Sequence, residues 1–309
     1  MGKREYHMFE HIKLVTLRAV FSAEAAGTLP PYLGSTIRGI LGHCFREFAC
    51  VNSDVKCFCC EKRENCLYVR YFSNTGKEAG AVNPYTLHVL TRGKTEWKPG
   101  DECAFDLTLI GDVSAQAGIY LDALQAMERK GWGAARIPFK LERVTDPVSE
   151  KLIYGGGQLW LRNLVPFSLA PMEKMANFAA VEFDTPLRIV SGKQLCRSIP
   201  FPTLIQFLSR RISLLSQAFT DHRIEWDEEP MLEAAGQVRI ISENWRSIDF
   251  TRYSMTKAEN KLDLPAIEGW VLYEGNLENF IPLLEVGRDL HVGKGATIGF
   301  GHYMTSYDK

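Results

Sequence analysis

The decisive stretch reads VEFDTPLRIV at residues 181–190, followed by FPTLIQFLSRRISLLSQAF at residues 201–219. The first segment has the composition and length of a buried strand. The second segment predicts an amphipathic helix, because its apolar residues recur at helical spacing along one stripe. The residues of that stripe are Leu204, Leu208, Ile212, Leu215 and Phe219. Together the two segments predict a strand that leads into a helix whose apolar face covers a sheet.

The rest of the C-terminal half extends this unit in a recognisable order. Strand patterns occupy residues 237–245 and 266–275, a helical pattern runs through residues 277–284, and an alternating strand pattern ends the chain. The order is βαββαβ, which is typical of a ferredoxin-like domain with two helices on one face of an antiparallel sheet. Pro282 lies inside the second helical pattern, where we expect it to restart or kink the helix.

The N-terminal half repeats the same order. Strand patterns fall at residues 12–21, 85–91, 102–110 and 137–144, and helical patterns at residues 34–48 and 113–130. A Gly131-Trp132-Gly133 turn takes the place of the glycine-rich loop of the second half. We therefore predict an α+β fold of two tandem ferredoxin-like (RRM-like) domains. The predicted domains are residues 1–170, with a four-cysteine insertion at 50–66, and residues 171–309, with a glycine-rich loop at 291–303.

Composition sets limits on location and partners. The chain has 309 residues, of which 46% are hydrophobic, and no run of 18 apolar residues that would cross a membrane. Its first residues, MGKREYHMFEHIK, lack the apolar core of a signal peptide, so we expect a cytoplasmic protein without a membrane partner. The net charge of −1 means that any nucleic-acid surface must be local. Residues 188–223 carry six Lys or Arg, which form either a phosphate-tracking patch or a solvated helix face.

The loop HVGKGATIGFGHY, residues 291–303, carries the clearest functional pattern. Its four glycines let backbone N–H groups approach a ligand closely, and Lys294 adds a cation, which together suit phosphate. The spacing fits neither a Walker loop nor a dinucleotide fingerprint. A tight helix-to-strand turn remains the other interpretation. The glycines are Gly293, Gly295, Gly299 and Gly301, and His291 and His302 lie near the two edges.

The insertion predicts a metal site. Five cysteines occur in CVNSDVKCFCCEKRENC, in a chain without secretory features. Four of them at such short separations favour a closed tetrahedral zinc site over disulfides. A structural metal would also explain how a polar insertion holds its fold. An iron–sulfur cluster and unligated buried thiols are the alternatives. The predicted ligands are Cys50, Cys57, Cys60 and Cys66, with Cys59 as a spare.

The first predicted helix, GSTIRGILGHCFREF, separates apolar residues from a second side. Ile37, Ile40, Leu41, Cys44, Phe45 and Phe48 form the apolar stripe, whereas Gly39, Gly42, His43 and Arg46 lie opposite. Two glycines inside a helix each cost about 1 kcal/mol, which suggests that something packs or binds close to that side. His43 is therefore not predicted as a core residue, although a solvated histidine without a role is the other interpretation.

These motifs in combination resemble one known family. The stretches that carry the resemblance are PPYLGSTIRGILGHCFREFAC, the cysteine insertion ending in ENCLYVRYF, WRSIDFTRYSMTKAE and LHVGKGATIGFGHY. They resemble the CRISPR-associated endoribonucleases that process precursor CRISPR RNA. That family belongs to the repeat-associated superfamily with paired ferredoxin-like domains. The resemblance covers nearly the whole chain. One departure is that the first half ends in GWG rather than in a fuller glycine motif.

The resemblance implies cleavage within CRISPR repeats that needs no metal cofactor, through attack of a 2′-hydroxyl on the adjacent phosphate. It implies His43 as general base or acid, with His291 as second choice for proton transfer and His302 as third. Lys294 and the loop N–H groups would hold phosphate or backbone. Arg38, Arg210 and Arg211 would contact the RNA backbone.

Two alternatives to the ribonuclease remain at the level of sequence. Some members of the superfamily bind CRISPR RNA without cutting it, as subunits of an effector complex, and that reading predicts tight repeat binding without cleavage. A zinc-stabilised scaffold or adaptor, whose glycine loop is only a turn, predicts no preference for repeat RNA. Other CRISPR effector subunits are expected partners under the first alternative.

Overall fold

The computed structural model describes residues 8–73, 81–171, 175–254 and 257–309, with the backbone alone in 252–254 and 257–261. The chain divides into two compact units. The N-terminal unit is formed by residues 13–167. The C-terminal unit is formed by residues 168–309 together with residues 8–12 from the start of the chain. Among the described residues, no helix combines the length and apolarity that a membrane crossing requires.

The N-terminal unit has the βαββαβ order. Its sheet is antiparallel, and the strands of the motif lie in the order β2-β3-β1-β4, with helices α1 and α2 packed against each other. Two short strands, Leu152–Gly155 and Gln158–Leu159, extend the sheet beyond β4. The elements are β1 Lys13–Ala23, α1 Gly34–Ala49, β2 Tyr85–Val89, β3 Glu102–Ile110, α2 Ala117–Ala126 and β4 Phe139–Thr145.

The C-terminal unit repeats this arrangement with the strand order β6-β7-β5-β8. An α+β fold of two tandem ferredoxin-like units is therefore confirmed. A short helix at Glu228–Ala235 and a hairpin of Thr251–Ser254 with Lys257–Asp263 are added to the motif. The elements are β5 Phe178–Leu187, α3 Phe201–Phe219, β6 Arg239–Ile248, β7 Ala266–Glu274, α4 Ile281–Leu290 and β8 Met304–Asp308.

Of the two expectations for Pro282, the structure shows a helix start and not a kink. Helix α4 begins at Ile281, so Pro282 lies in its first turn, where no intrahelical donor is needed. The pattern at residues 277–280 belongs to the turn that precedes this helix. Leu277 still packs in the core, at 0% exposure, and its carbonyl accepts hydrogen bonds from the N–H groups of Phe280 and Ile281.

Helix α1 corrects two details of the predicted apolar stripe. Ile37, Ile40 and Phe45 are buried, but Phe48 is 48% exposed at the helix end. Gly42, predicted for the opposite side, is buried as well, and a Cβ there would lie 2.5 Å from the ring of Phe72. The glycine is therefore explained by close packing of the short helix region after the insertion.

The start of the chain is anchored on the C-terminal unit. Phe9 and Ile12 are 1% and 0% exposed. His11 Nε2 lies 2.8 Å from Ser216 Oγ on α3, and the rings of His11 and His222 have centroids 4.5 Å apart. No local pattern in the sequence indicates this attachment, because the partners are about two hundred residues apart.

The GWG turn has a packing role. Trp132 is 0% exposed, stacks on Phe139 at 4.4 Å between ring centroids, and pairs with Ile137 through two backbone hydrogen bonds. A Cβ on Gly133 would lie 2.5 Å from Leu29. In the N-terminal unit, the turn at the position that corresponds to the glycine-rich loop therefore packs an aromatic side chain into the core.

Candidate nucleic-acid interface

The glycine-rich loop, residues 291–303, begins where α4 ends. All four of its glycines adopt left-handed backbone conformations, with φ of 80° at Gly293, 92° at Gly295, 92° at Gly299 and 78° at Gly301. A Cβ on Gly301 would lie 1.9 Å from the carbonyl oxygen of Val292. Glycine is therefore required by both backbone conformation and space, as the predicted turn demands.

Backbone hydrogen bonds clamp this loop to the end of β5. The N–H of Lys294 donates to the carbonyl of Arg188 at 2.8 Å, and the N–H of Gly301 donates to that of Pro186 at 2.9 Å. The N–H of Val292 donates to the carbonyl of Gly301 at 2.9 Å, which closes the loop on itself. The loop is held in one shape, so a ligand that binds it meets a preformed surface.

The middle of the loop offers donors. In the part of the chain that the structure describes, the N–H groups of Gly295, Ala296 and Thr297 donate no hydrogen bond. The side chain of Lys294 is exposed and takes part in no ion pair with a described residue. Three successive amide donors beside a cation are a suitable arrangement for an anionic oxygen.

The two histidines at the loop edges have different environments. His291 is 1% exposed, and its Nδ1 lies 2.9 Å from the carbonyl oxygen of Phe300. His302 keeps 13% of its side-chain surface exposed, and its Nδ1 lies 2.6 Å from Oδ1 of Asp184. His291 thus serves as an internal tie of the loop, whereas His302 is an imidazole held by a carboxylate. Asp184 did not stand out in the sequence, and it lies within the strand β5 that leads to helix α3.

Arg210 and Arg211, neighbours on α3, have separate positions. Arg211 Nε donates to the carbonyl of Leu290 at 2.6 Å, so this guanidinium caps the C-terminal end of α4 just before the loop. Burial lowers the pKa of Arg211 to about 10, which leaves it charged at neutral pH. Arg210 is exposed. Of the two predicted RNA contacts, Arg210 is the one on the surface, and Arg211 is engaged inside the fold.

In the N-terminal unit, α1 presents His43 to solvent. Arg46, one turn later, is tied to the cysteine insertion through Nη2, which donates to the carbonyls of Ser53 at 3.1 Å and Val55 at 3.3 Å. Arg38 is partly buried, with its guanidinium carbon 5.2 Å from the centroid of the Phe72 ring. The imidazole of His43 has no hydrogen-bond partner among the described residues, so nothing in this unit fixes its orientation.

The cysteine insertion, residues 50–66, consists of short turns. The N–H of Cys60 donates to the carbonyl of Cys57 at 3.4 Å, and that of Cys66 donates to Arg63 at 3.3 Å. All four predicted ligand cysteines are partly exposed thiols. Within the described residues, they form no group of three whose sulfurs lie within 4.8 Å of one another. The zinc site stays a prediction.

Comparison with known families covers both units. Residues 181–303, which contain the whole glycine-rich loop, match the family described as CRISPR-associated endoribonuclease Cas6. Residues 12–165 match the family described as AF_1859_N, N-terminal domain. An uncharacterized protein of Archaeoglobus fulgidus is 21% identical over 282 residues, which are 89% of this chain and 92% of that protein.

Solved structures agree with the fold. A Thermus thermophilus Cas6 superposes with a TM-score of 0.55 at 14% identity, covering 96% of this chain and 99% of that chain. A partial Cas6-RT-Cas1–Cas2 complex gives a TM-score of 0.62 at 13% identity and 97% coverage of this chain. This chain spans 47% of that protein, about half its length. The family match over the glycine-rich loop therefore assigns residues 181–303 of this chain to the CRISPR-associated Cas6 endoribonuclease family.

Proposed function

We propose that this protein is a metal-independent endoribonuclease that cuts precursor CRISPR RNA within its repeats. The 2′-oxygen attacks the adjacent phosphorus, the bond from phosphorus to the 5′-oxygen breaks, and a 2′,3′-cyclic phosphate and a 5′-hydroxyl remain. The observation that carries the proposal is the preformed glycine-rich loop with its cation and amide donors, which lies inside the segment that matches Cas6 endoribonucleases.

The loop supplies binding of the RNA backbone. The N–H groups of Gly295, Ala296 and Thr297 and the ammonium group of Lys294 are donors suited to phosphate oxygens. Because the loop is rigidly clamped at Arg188 and Pro186, little ordering cost is expected on binding. Arg210, exposed on α3, is proposed as a further backbone contact. Since the overall net charge is only −1, these local cations carry the electrostatic attraction.

His43 is proposed as a proton-transfer residue. The reaction needs a base for the 2′-hydroxyl and an acid for the leaving 5′-oxygen, and imidazole suits both because its ordinary pKa lies near neutrality. The side chain of His43 is exposed on α1 and engaged with no described residue, so it is accessible to RNA. His291, in contrast, is buried and bound to a carbonyl, which disfavours it as the group that reaches substrate.

One observation favours a second candidate function. The described residues contain no group that orients the His43 imidazole, and a histidine without an orienting partner also fits a protein that binds repeat RNA without cutting it. Such a protein would hold CRISPR RNA for other effector subunits. A solved Cas6-RT-Cas1–Cas2 complex contains a chain with a similar fold, and association of this chain with other CRISPR proteins is proposed on that basis alone.

The test uses purified full-length protein and repeat RNA in EDTA, beside the same RNA with a single 2′-deoxy substitution at the cut position. The ribonuclease proposal expects the first RNA to be cut and the second to survive. Tight binding of both RNAs without cleavage would favour the binding subunit. Equal affinity for repeat RNA and for an unrelated RNA would contradict both functions and favour the adaptor.

A structural zinc ion bound by Cys50, Cys57, Cys60 and Cys66 is proposed separately from the chemistry. The thiols are free of disulfides and lie on consecutive turns of one insertion, where zinc would replace an apolar core. Zinc here would stabilise the insertion and would not touch the scissile phosphate. The cleavage test in EDTA and a measurement of bound metal therefore examine different proposals.

A further inference from the structure

The sheet of the C-terminal unit has one face that the helices of this unit do not cover. Along β7, Tyr273 is 0% exposed and packs on Phe201 of α3 with ring centroids 4.9 Å apart, whereas Trp270 is 37% exposed. Because successive side chains of a strand point to opposite faces, Trp270 lies on the face away from the helices. Glu182 of β5 is the cross-strand partner of Trp270 and is exposed on the same face.

Four exposed side chains form one row across this face, one from each strand. Glu182 pairs with Trp270 on one side and with Met304 of β8 on the other. Asn244 of β6 pairs with Trp270 from the far side. All four residues are exposed, and with the described part of the chain their side chains form no hydrogen bond, ion pair or ring contact. Cross-strand neighbours have Cβ atoms about 5 Å apart, so a carboxylate and an amide flank the indole.

The next row on this face has low side chains. Leu272 of β7 pairs with Ser242 and Ala180, and Ala180 pairs with Ser306. Three of these four residues are small. The row therefore leaves space beside the indole of Trp270, in which a flat ligand can lie.

The chemistry of the exposed row fits a nucleobase and not a phosphate. An exposed indole is a surface on which an unpaired base stacks. The carboxylate of Glu182 repels a phosphate but accepts hydrogen bonds from the N–H groups of a base edge. Guanine presents two adjacent donors, N1–H and the N2 amino group, which match the two oxygens of one carboxylate. An apolar protein surface would bury this carboxylate without a donor, which is costly.

The exposed row is continuous with the glycine-rich loop. Met304 directly follows Tyr303, the last residue of the loop. On β5, Asp184 lies two residues after Glu182, and its Oδ1 is 2.6 Å from Nδ1 of His302 in the loop. An RNA whose phosphates bind the loop can therefore place a base on this face of the same unit. Phosphate contacts fix the position of a nucleic acid, and base contacts supply specificity.

We propose that Trp270, Glu182 and Asn244 form a subsite for one unpaired guanine of the bound RNA, an inference that rests on the RNA binding proposed for this chain. The base stacks on the indole of Trp270. Its N1–H and N2 amino group donate to the carboxylate of Glu182. On the opposite edge of the base, the amide of Asn244 donates to N7. The subsite selects and positions RNA and takes no part in breaking a bond.

The experiment measures the affinity of full-length protein for two short fluorescent single-stranded RNAs by anisotropy. One RNA has a single guanine among uridines, and the other has inosine at that position, which lacks only the N2 amino group. We expect wild type to bind the guanine RNA about tenfold more tightly than the inosine RNA. Trp270→Ala should weaken the binding of both RNAs about tenfold, because the stacking surface is lost. Trp270→Phe keeps an aromatic face and should restore most of the affinity.

A pair of carboxylate variants tests the specificity. Glu182→Gln removes one of the two acceptors for guanine, so its affinities for the guanine and inosine RNAs should agree within about twofold. The control Glu278→Gln removes an exposed carboxylate of the same unit outside the exposed row. It should keep the preference of wild type for guanine.

Two results overturn the subsite. One is equal affinity of wild type for the guanine and inosine RNAs, and the other is equal affinity of wild type and Trp270→Ala for the guanine RNA. Cleavage of repeat RNA by the same wild-type preparation would then show that the ribonuclease function stands without the subsite. If wild type binds neither the short RNAs nor repeat RNA, the proposed RNA binding fails and the subsite fails with it.

Discussion

Replacing Gly301 by alanine tests whether the glycine-rich loop has the one clamped shape on which the proposed phosphate binding depends. Gly301 has φ of 78°, a conformation that costs an L-residue about 1–2 kcal/mol. The new Cβ would also lie 1.9 Å from the carbonyl oxygen of Val292, which is backbone and cannot rotate away. A forced backbone shift of this kind costs roughly 1–3 kcal/mol more. We therefore expect Gly301→Ala to lower the free energy of unfolding by about 2–5 kcal/mol.

Gly192 provides the matched control in the same unit. It also has a positive φ, 55°, but a Cβ there would meet no atom within 4 Å. Gly192→Ala should therefore show only the conformational cost, about 1–2 kcal/mol. The assay is urea unfolding of both variants and wild type, followed by RNA affinity at a temperature where all three are folded. If Gly301→Ala is no less stable than Gly192→Ala, the loop is not clamped as described. If stability falls but affinity for repeat RNA is unchanged, the loop does not hold phosphate.

The remaining predictions concern single groups. Lys294→Ala should weaken repeat RNA binding and reduce the slope of log affinity against log salt concentration by about 0.7–0.9. The control Lys140→Ala, on the N-terminal unit, should leave that slope unchanged. Equal slopes for the two variants would show that Lys294 does not contact the RNA backbone. His43→Ala should slow cleavage by about 10²-fold or more with nearly unchanged RNA affinity, and an unchanged rate in single-turnover assays would exclude it as the base. Elemental analysis of protein purified without added metal should find about one equivalent of zinc. The zinc should be lost in Cys57→Ser and kept in Cys59→Ser. Less than about half an equivalent in the wild-type protein would contradict the site. Gly42→Ala should lower the free energy of unfolding in urea by about 1–3 kcal/mol, because its Cβ would lie 2.5 Å from the Phe72 ring. The control Gly118→Ala, on α2, should not destabilise the protein, because the space around it is open. Equal stability of the two variants would contradict the packing of Phe72 on Gly42.

Local pattern was sufficient for most of the secondary structure. The helix predicted at residues 201–219 has those bounds in the structure, and the strand predicted at 102–110 does too. The main error at element level was the start of the last helix, which was predicted at residue 277 but lies at Ile281, beside Pro282. Apolar spacing alone could not distinguish the turn before a helix from its first turn. Phe48 was predicted in the apolar stripe of α1 but is exposed. The helical spacing of apolar residues continues in the sequence to Phe48, although the core that covers the stripe ends before it.

The candidate site was predicted less completely than the fold. The four glycines and Lys294 were recognisable because positive φ and close backbone approach leave a direct mark on residue type. The separate roles of the histidines were not, since an imidazole that is buried, exposed or held by a carboxylate has the same letter in the sequence. Asp184 was overlooked because nothing in its strand, which also contains Glu182 and Thr185, indicates that its partner lies 118 positions away.

By itself, the sequence determined the doubled βαββαβ order and the glycine-dependent loop, because alternation, helical spacing and φ preference are properties of neighbouring residues. Tertiary structure alone decided that residues 8–12 join the C-terminal unit, that Phe72 covers Gly42, and that Asp184 pairs with His302. Asp184 and His302 are 118 positions apart, and only the pairing of β5 with β8 brings them to hydrogen-bond distance. Burial and hydrogen-bond partners depend on such distant segments, so they decide that His291 is buried inside the loop and that His302 keeps part of its ring exposed.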